Sequence, residues 1–168
     1  VKDGGSLKLN GTTTLTGEKG KTTDTNYKAT TAGTHVNLSG GSTFIMPDDW
    51  IGSIEKRQHG IKADGNNTKV DMYSGEIREN AAFDQGRFDN NQTQLEQDGA
   101  GVYLSGGATF TMHNGSIINN TVYRYGGGVY MEDENTTFIL KKGSISNNQM
   151  AVLNTSGGSR AAGKGIGI

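Results

Sequence analysis

Asp48 and Asp49 stand side by side, and His59 follows ten residues after the second. Two carboxylates and an imidazole are the groups that acid–base cleavage of a glycosidic bond uses: one acid protonates the leaving oxygen while a carboxylate activates water or attacks carbon. Paired carboxylates are also ordinary on a solvated surface, and this set alone does not define a reaction. Two turns, Asp64-Gly65-Asn66-Asn67 and Glu132-Asp133-Glu134-Asn135, carry oxygen ligands of the kind calcium accepts. The turn between them, Ser105-Gly106-Gly107-Ala108, has no acid, so they form no continuous column and no metal is expected. His35, His59 and His113 lack the close pairing that zinc needs. With no cysteine, thiol chemistry and disulfides are excluded. No cofactor is expected.

The other candidate chemistry is recognition. Lys62, Tyr103 and Tyr130, with Asn37, fall at one outward place in successive copies of a repeat described below. Stacked phenol rings can hold a sugar face, and the Lys62 ammonium can meet an acidic group. Tyr123, Arg124 and Tyr125 add two aromatics and a guanidinium nearby. The same residues can serve only as a cross-strand aromatic stack that stabilises a sheet.

These groups must be positioned by an unusual chain. Of 168 residues 27 are Gly and one is Pro, and only 32% are hydrophobic. Gly is about 7% of average proteins. A chain so poor in apolar residues cannot fill a wide core but can fill a thin one, if tight turns keep returning it to the same narrow interior. Sixteen Lys and Arg balance 17 Asp and Glu, which removes the basic stripe that phosphate neutralisation requires and argues against nucleic acid as a partner. No apolar run is long enough for a transmembrane helix.

Repetition supplies the tight return. Gly101-Val102-Tyr103-Leu104, Phe110-Thr111-Met112 and Gly115-Ser116-Ile117-Ile118-Asn119-Asn120 recur as Gly128-Val129-Tyr130-Met131, Phe138-Ile139-Leu140 and Gly143-Ser144-Ile145-Ser146-Asn147-Asn148. A more worn copy runs through Gly60-Ile61-Lys62-Ala63, Val70-Asp71-Met72 and Gly75 to Asn80. An earlier one begins at Val36-Asn37-Leu38 and Phe44-Ile45-Met46 but diverges around Asp48-Asp49-Trp50; Leu7-Lys8-Leu9 suggests one more. Gly163 to Ile168 reads as the opening strand of a next copy, and the chain reads as a fragment of a longer protein.

Alternation with period two marks each segment as a strand, and recurrence of like residues once per copy predicts parallel stacking: Val102 over Val129, Phe110 over Phe138, Ile117 over Ile145. The expected fold is all-β, a right-handed parallel β-helix with three short strands per rung, about five rungs, and rungs about 4.8 Å apart. Residues 1–168 form one such segment, with loop insertions at 81–98 and 149–163. Gly75, Gly115 and Gly143 recur where the chain needs a positive φ or a close approach. Asn80, Asn120 and Asn148 recur at the end of the third strand, where a side-chain amide can bond the backbone or the next Asn; these six residues are expected to be a structural ladder.

The Gly127-Gly128-Val129-Tyr130 motif, with Ala100-Gly101-Val102-Tyr103, and the Ile-x-x-Asn motif at Ile77, Ile117 and Ile145 resemble the paired repeat motifs of chlamydial polymorphic outer-membrane proteins and related pectate-lyase-like surface proteins. That family has Phe where this chain has Ile. The clear resemblance covers residues 60–148. It implies an exported bacterial protein, extracellular or on the cell surface, acting as a structural or adhesive module toward a host-surface protein or glycan. The alternative is a polysaccharide-active lyase or glycoside hydrolase of the same class. Against it, Asp49 and His59 lie less than one coil apart, and the Asn-Thr-Asp and Arg-Ile-Lys elements of polygalacturonases are absent. Open strand edges at the two ends predict end-to-end self-association.

Overall fold

The computed structural model describes residues 1–16, 31–82, 98–122 and 125–150. Among these the chain is all-β, without a helix, and its strands stack in four parallel sheets. The first sheet holds β3 (Thr31–Leu38), β6 (Arg57–Asp64), β10 (Val102–Ser105) and β14 (Val129–Met131). The second holds β1 (Ser6–Lys8), β4 (Thr43–Met46), β7 (Lys69–Met72), β11 (Thr109–Met112) and β15 (Thr137–Leu140). The third holds β2 (Leu15–Thr16), β5 (Ser53–Glu55), β8 (Glu76–Arg78), β12 (Ser116–Ile118) and β16 (Ser144–Ser146). In each sheet a strand pairs with its counterpart from the preceding and following repeat, an order consistent with a solenoid.

The register is the one that the repeat demands. Val102 pairs with Val129, Phe110 with Phe138 and Ile117 with Ile145. Inward positions therefore stack like on like. Phe44, Val70 and Phe110 form one buried column, Ile54, Ile77 and Ile117 a second, and Met46, Met72 and Met112 a third. Each inward side chain covers the one below it, so a thin core suffices.

A fourth sheet adds to the three strands per copy expected from the sequence. β9 (Ala81–Ala82), β13 (Thr121–Val122) and β17 (Gln149–Met150) pair in parallel directly after the third strand. The insertions expected to begin at 81 and 149 thus open with paired backbone. Two-residue strands of unlike composition leave no periodic signal. They are held by main-chain bonds, Thr121 N–H to Asn80 O at 2.8 Å and Gln149 N–H to Asn120 O at 2.9 Å. Residues 83–97 of the first insertion, residues 151–163 of the second, the Gly163–Ile168 segment, Tyr123 and Arg124 lie outside the described residues.

Where the second copy diverges, Trp50 takes over the packing. It is fully buried, its indole N–H donates to Thr13 O at 3.0 Å, and it lies against Gly75 so closely that a Cβ there would sit 2.2 Å from the ring. In later copies the methyl groups of Met72 and Met112 occupy the corresponding place against Gly115 and Gly143. All three glycines have positive φ. A side chain would be excluded there twice, by backbone conformation and by space.

Candidate functional site

The Asn ladder follows from where the third strand ends. Glu79, Asn119 and Asn147 each take a positive φ, which turns the next residue inward. There Asn80 and Asn120 are fully buried and Asn148 nearly so. The Asn120 amide donates from Nδ2 to Ile77 O at 3.0 Å and to Asn148 Oδ1 at 2.9 Å. Asn80 does the same one repeat earlier, to Ile54 O and Asn120 Oδ1. Each Oδ1 also accepts the backbone N–H of the preceding Asn, at 3.1 Å for Asn80 and 3.0 Å for Asn120. The first glycine of each later copy rests on this ladder. A Cβ at Gly60, Gly101 or Gly128 would come within 3.0 Å of the Nδ2 of Asn80, Asn120 or Asn148.

The outward row on the first sheet is assembled as the repeat places it. Lys62 pairs in register with Asn37 and Tyr103, and Tyr103 with Tyr130. Lys62 Nζ stands 4.8 Å from the Tyr103 ring centroid. Tyr103 and Tyr130 are 5.4 Å apart and tilted, and Tyr125 stacks on Tyr130 at 6.2 Å. The Tyr103 hydroxyl donates to the Glu132 carboxylate. Burial, then that bond and the adjacent negative charge, push the Tyr103 phenol above its ordinary range. The row is a continuous aromatic and cationic surface over three repeats, with Tyr125 its most exposed ring.

The oxygen-rich turns are engaged by their neighbours. Asp64 accepts from Ser105 Oγ at 2.7 Å, and Asp133 accepts from Gly106 N–H at 2.9 Å. The Gly-Gly turn between them fits because it has no side chains; a Cβ at Gly107 would lie 2.2 Å from Asn66 Oδ1. Among the described residues no group of three or more acidic or imidazole side chains could hold a metal ion.

Asp48 and Asp49 are exposed in the turn after β4. His59 is buried within β6, where its Nδ1–H donates to Gly99 O at 3.0 Å and its ring meets Tyr103 edge-on at 6.2 Å. The two acids face solvent.

Two clusters were not legible in the repeat. Glu55, on β5, is buried yet charged: Lys56 Nζ lies 2.6 Å from it, Arg78 Nε 2.7 Å, and Ser53 Oγ donates at 2.9 Å. Burial by itself would raise its carboxyl, but these three bonds outweigh it and hold the group at about 2. Nearby, His35 Nε2–H donates to Glu55 O at 2.7 Å, and its imidazole is held below its ordinary value, chiefly by burial. On the second sheet His113 stacks on Tyr73 at 3.9 Å and meets Asp71 at 3.0 Å. Cross-strand register creates both clusters, and register is the only signal that could have found them: Glu55 pairs with Arg78, and Asp71 with Thr111, two residues before His113.

No protein-family model, curated protein or solved structure gives a significant match to the chain. No helix among the described residues is long and apolar enough to cross a membrane.

Proposed function

We propose that this chain is a segment of a right-handed parallel β-helix of the pectate-lyase-like class, acting as a structural and adhesive module of an exported bacterial surface protein. Its role is to hold an outward strand face in fixed register and present it to a glycan or host-surface protein. One observation carries the reading. The positions that repeat are scaffold positions, from the Asn80–Asn120–Asn148 ladder to the stacked core, while the Lys62–Tyr103–Tyr130 row repeats on the outside of the same strands. Aromatic faces beside an ammonium suit the C–H face of a sugar ring that carries an acidic substituent. Among the described residues, Asp48 and Asp49 are solvated in the turn after β4, and His59 donates to the Gly99 carbonyl.

The test is a glycan array with the purified chain, followed by reducing-end and unsaturated-product assays on each acidic polysaccharide bound. Binding without turnover, lost in Tyr130→Ala and in Lys62→Ala while folding is retained, is the expected result. Product formation would overturn the reading in favour of a polysaccharide-active enzyme. Absence of glycan binding would remove the glycan as ligand and leave protein partners.

A further inference from the structure

The outward row on the first sheet carries unlike charges along its length. Lys62 lies on β6, and its ammonium stands 4.8 Å from the Tyr103 ring centroid. Glu132 directly follows β14. Its N–H donates to Leu104 O at 2.9 Å, which continues the β14 register and places it opposite Ser105, two positions along from the Tyr103–Tyr130 pair. The Tyr103 hydroxyl donates to the Glu132 carboxylate, so one ring meets the cation with its face and the anion with its hydroxyl. Glu132 is nevertheless exposed, and a carboxylate has more acceptor positions than one phenol fills.

Acids flank the row on both sides. Asp64, Ser105 and Glu132 form the column beside it, with Ser105 Oγ donating to Asp64 at 2.7 Å. Asp133 follows and accepts the Gly106 N–H at 2.9 Å. On the other side Asp98 accepts the Tyr125 N–H at 3.1 Å. The Tyr103 phenol registers this field: burial first, then Glu132, then Tyr130 and Asp98 oppose its ionisation. A ligand lying along the row therefore meets an ammonium at Lys62 and carboxylates beyond it.

We propose that Glu132 is a specificity-determining residue of this row: it selects a glycan that is neutral except for one acidic sugar and disfavours chains that are acidic at every sugar. This selectivity rests on the glycan reading above. The acidic substituent is held at Lys62, and the neutral sugars lie toward Tyr130. Their hydroxyls donate to the oxygens of Glu132, which accept but cannot donate. A second carboxylate placed there would face Glu132 at close range, and like charges brought together across an interface weaken it. Glu132 acts through its charge, and Tyr103 through the ring that it holds beside Lys62.

The test is a charge series on a glycan array: neutral xylo- and galacto-oligosaccharides, the same chains bearing one uronic acid, and oligogalacturonates of matching length. The full chain is compared with Glu132→Gln, Glu134→Gln and Lys62→Ala, with circular dichroism to confirm that each is folded. The unmodified chain should bind the singly acidic members at least about tenfold more tightly than the oligogalacturonates. Glu132→Gln keeps an oxygen to accept from Tyr103 but loses the charge, and it should narrow that ratio by about fivefold or more. Glu134 is also exposed, and Glu134→Gln should leave the ratio as it was. Lys62→Ala should bring the singly acidic members down to the level of the neutral ones. Salt of about 1 M should erase the discrimination, since charges more than about 3 Å apart are then screened. Oligogalacturonates bound as tightly as the singly acidic chains overturn the proposal, as does discrimination that persists in that salt. So does a ratio unmoved by Glu132→Gln, or moved equally by Glu134→Gln. If no member of the series binds, neutral or acidic, the glycan reading itself fails, so the two failures are told apart.

Discussion

Asn148 Oδ1 lies 3.0 Å from the backbone nitrogen of Asn120 and 2.9 Å from its Nδ2, so one side-chain carbonyl takes two hydrogen bonds from the residue one repeat earlier. Asn120 gives the same service to Asn80. Asn120→Ala thus strands the Asn80 N–H and the Ile77 carbonyl in a dry interior, and each buried unsatisfied group costs about 1–3 kcal/mol. Urea unfolding of Asn120→Ala should show a loss of about 3 kcal/mol. Asn148→Ala strands the Asn120 N–H and the Ile117 carbonyl in the same way, so its loss should be similar, lessened only by the slight exposure of Asn148. Losses well below about 1 kcal/mol in both would show that the ladder carries little energy of its own.

The stacked core makes a parallel prediction at the next level. Ile117 is fully buried between Ile77 and Ile145, whereas Ile145 has a described neighbour on one side only. Removing a buried Ile side chain costs about 2–5 kcal/mol, depending on how far the site collapses. Ile117→Ala should fall in that range and Ile145→Ala well below it. Thermal or urea midpoints measured on the pair decide the point.

Gly101 is a place where only hydrogen fits. A Cβ there would meet Gly128 O at 2.5 Å and both Asn120 Nδ2 and Ile117 Cγ2 at 3.0 Å, and the first contact is backbone that cannot step aside. Gly101→Ala should destabilise by about 2–3 kcal/mol through overpacking. At Gly4 a Cβ would meet nothing within 4 Å although φ is +74, so Gly4→Ala should cost only the left-handed backbone penalty of about 1–2 kcal/mol. The ordering of the two in denaturant titrations tests whether inter-strand approach, and not turn geometry, dictates the first glycine of each repeat.

Acid should weaken the third sheet through Glu55. Its folded-state carboxyl is held at about 2 against an ordinary value of 4.5, so the unfolded chain takes up the proton first. The stabilisation is complete above about 4.5 and is lost as pH falls toward about 2. The lowered His35 value acts in the same direction from 6.5 downward, because burial disfavours the imidazolium. Glu55→Gln should remove the step between pH 4.5 and 2 from a stability–pH profile while leaving the His35 component in place. A variant whose profile still shows that step would assign it elsewhere.

The Tyr103 phenol should titrate above its ordinary value of 10, because burial and the Glu132 carboxylate both oppose phenolate formation. Absorbance at the phenolate band should show one tyrosine ionising late. In Glu132→Gln that tyrosine should move back toward 10, since the negative charge is gone while the ring contacts remain. A late tyrosine unaffected by Glu132→Gln would assign the shift to burial alone.

The repeat was legible because stacking is a local rule applied many times. Gly115-Ser116-Ile117 and Gly143-Ser144-Ile145 carry the same instructions, and the pairing Ile117 with Ile145 follows from them. The ladder asparagines and the outward Lys62–Tyr103–Tyr130 row were readable for the same reason. Trp50 was visible only as a divergence; nothing in its own segment says that it fills the space against Gly75. β9, β13 and β17 were hidden because their bonds are made by backbone, which has no composition to read.

By itself the sequence determined the thin core, the parallel register and the place of each ladder residue, since period-two alternation and once-per-repeat recurrence leave one register in which apolar side chains cover one another. Only the tertiary structure decided which groups meet across strands: Glu55 with Arg78, Tyr103 with Glu132, His113 with Asp71 and Tyr73. It alone showed, too, that Met131 and Leu140 are about half exposed while their register partners Leu104 and Met112 are buried. The physical reason is the same for both. Burial periodicity is written along the chain, whereas outward pairs and end exposure depend on the residue one repeat away, and the chain can vary those residues without disturbing the core.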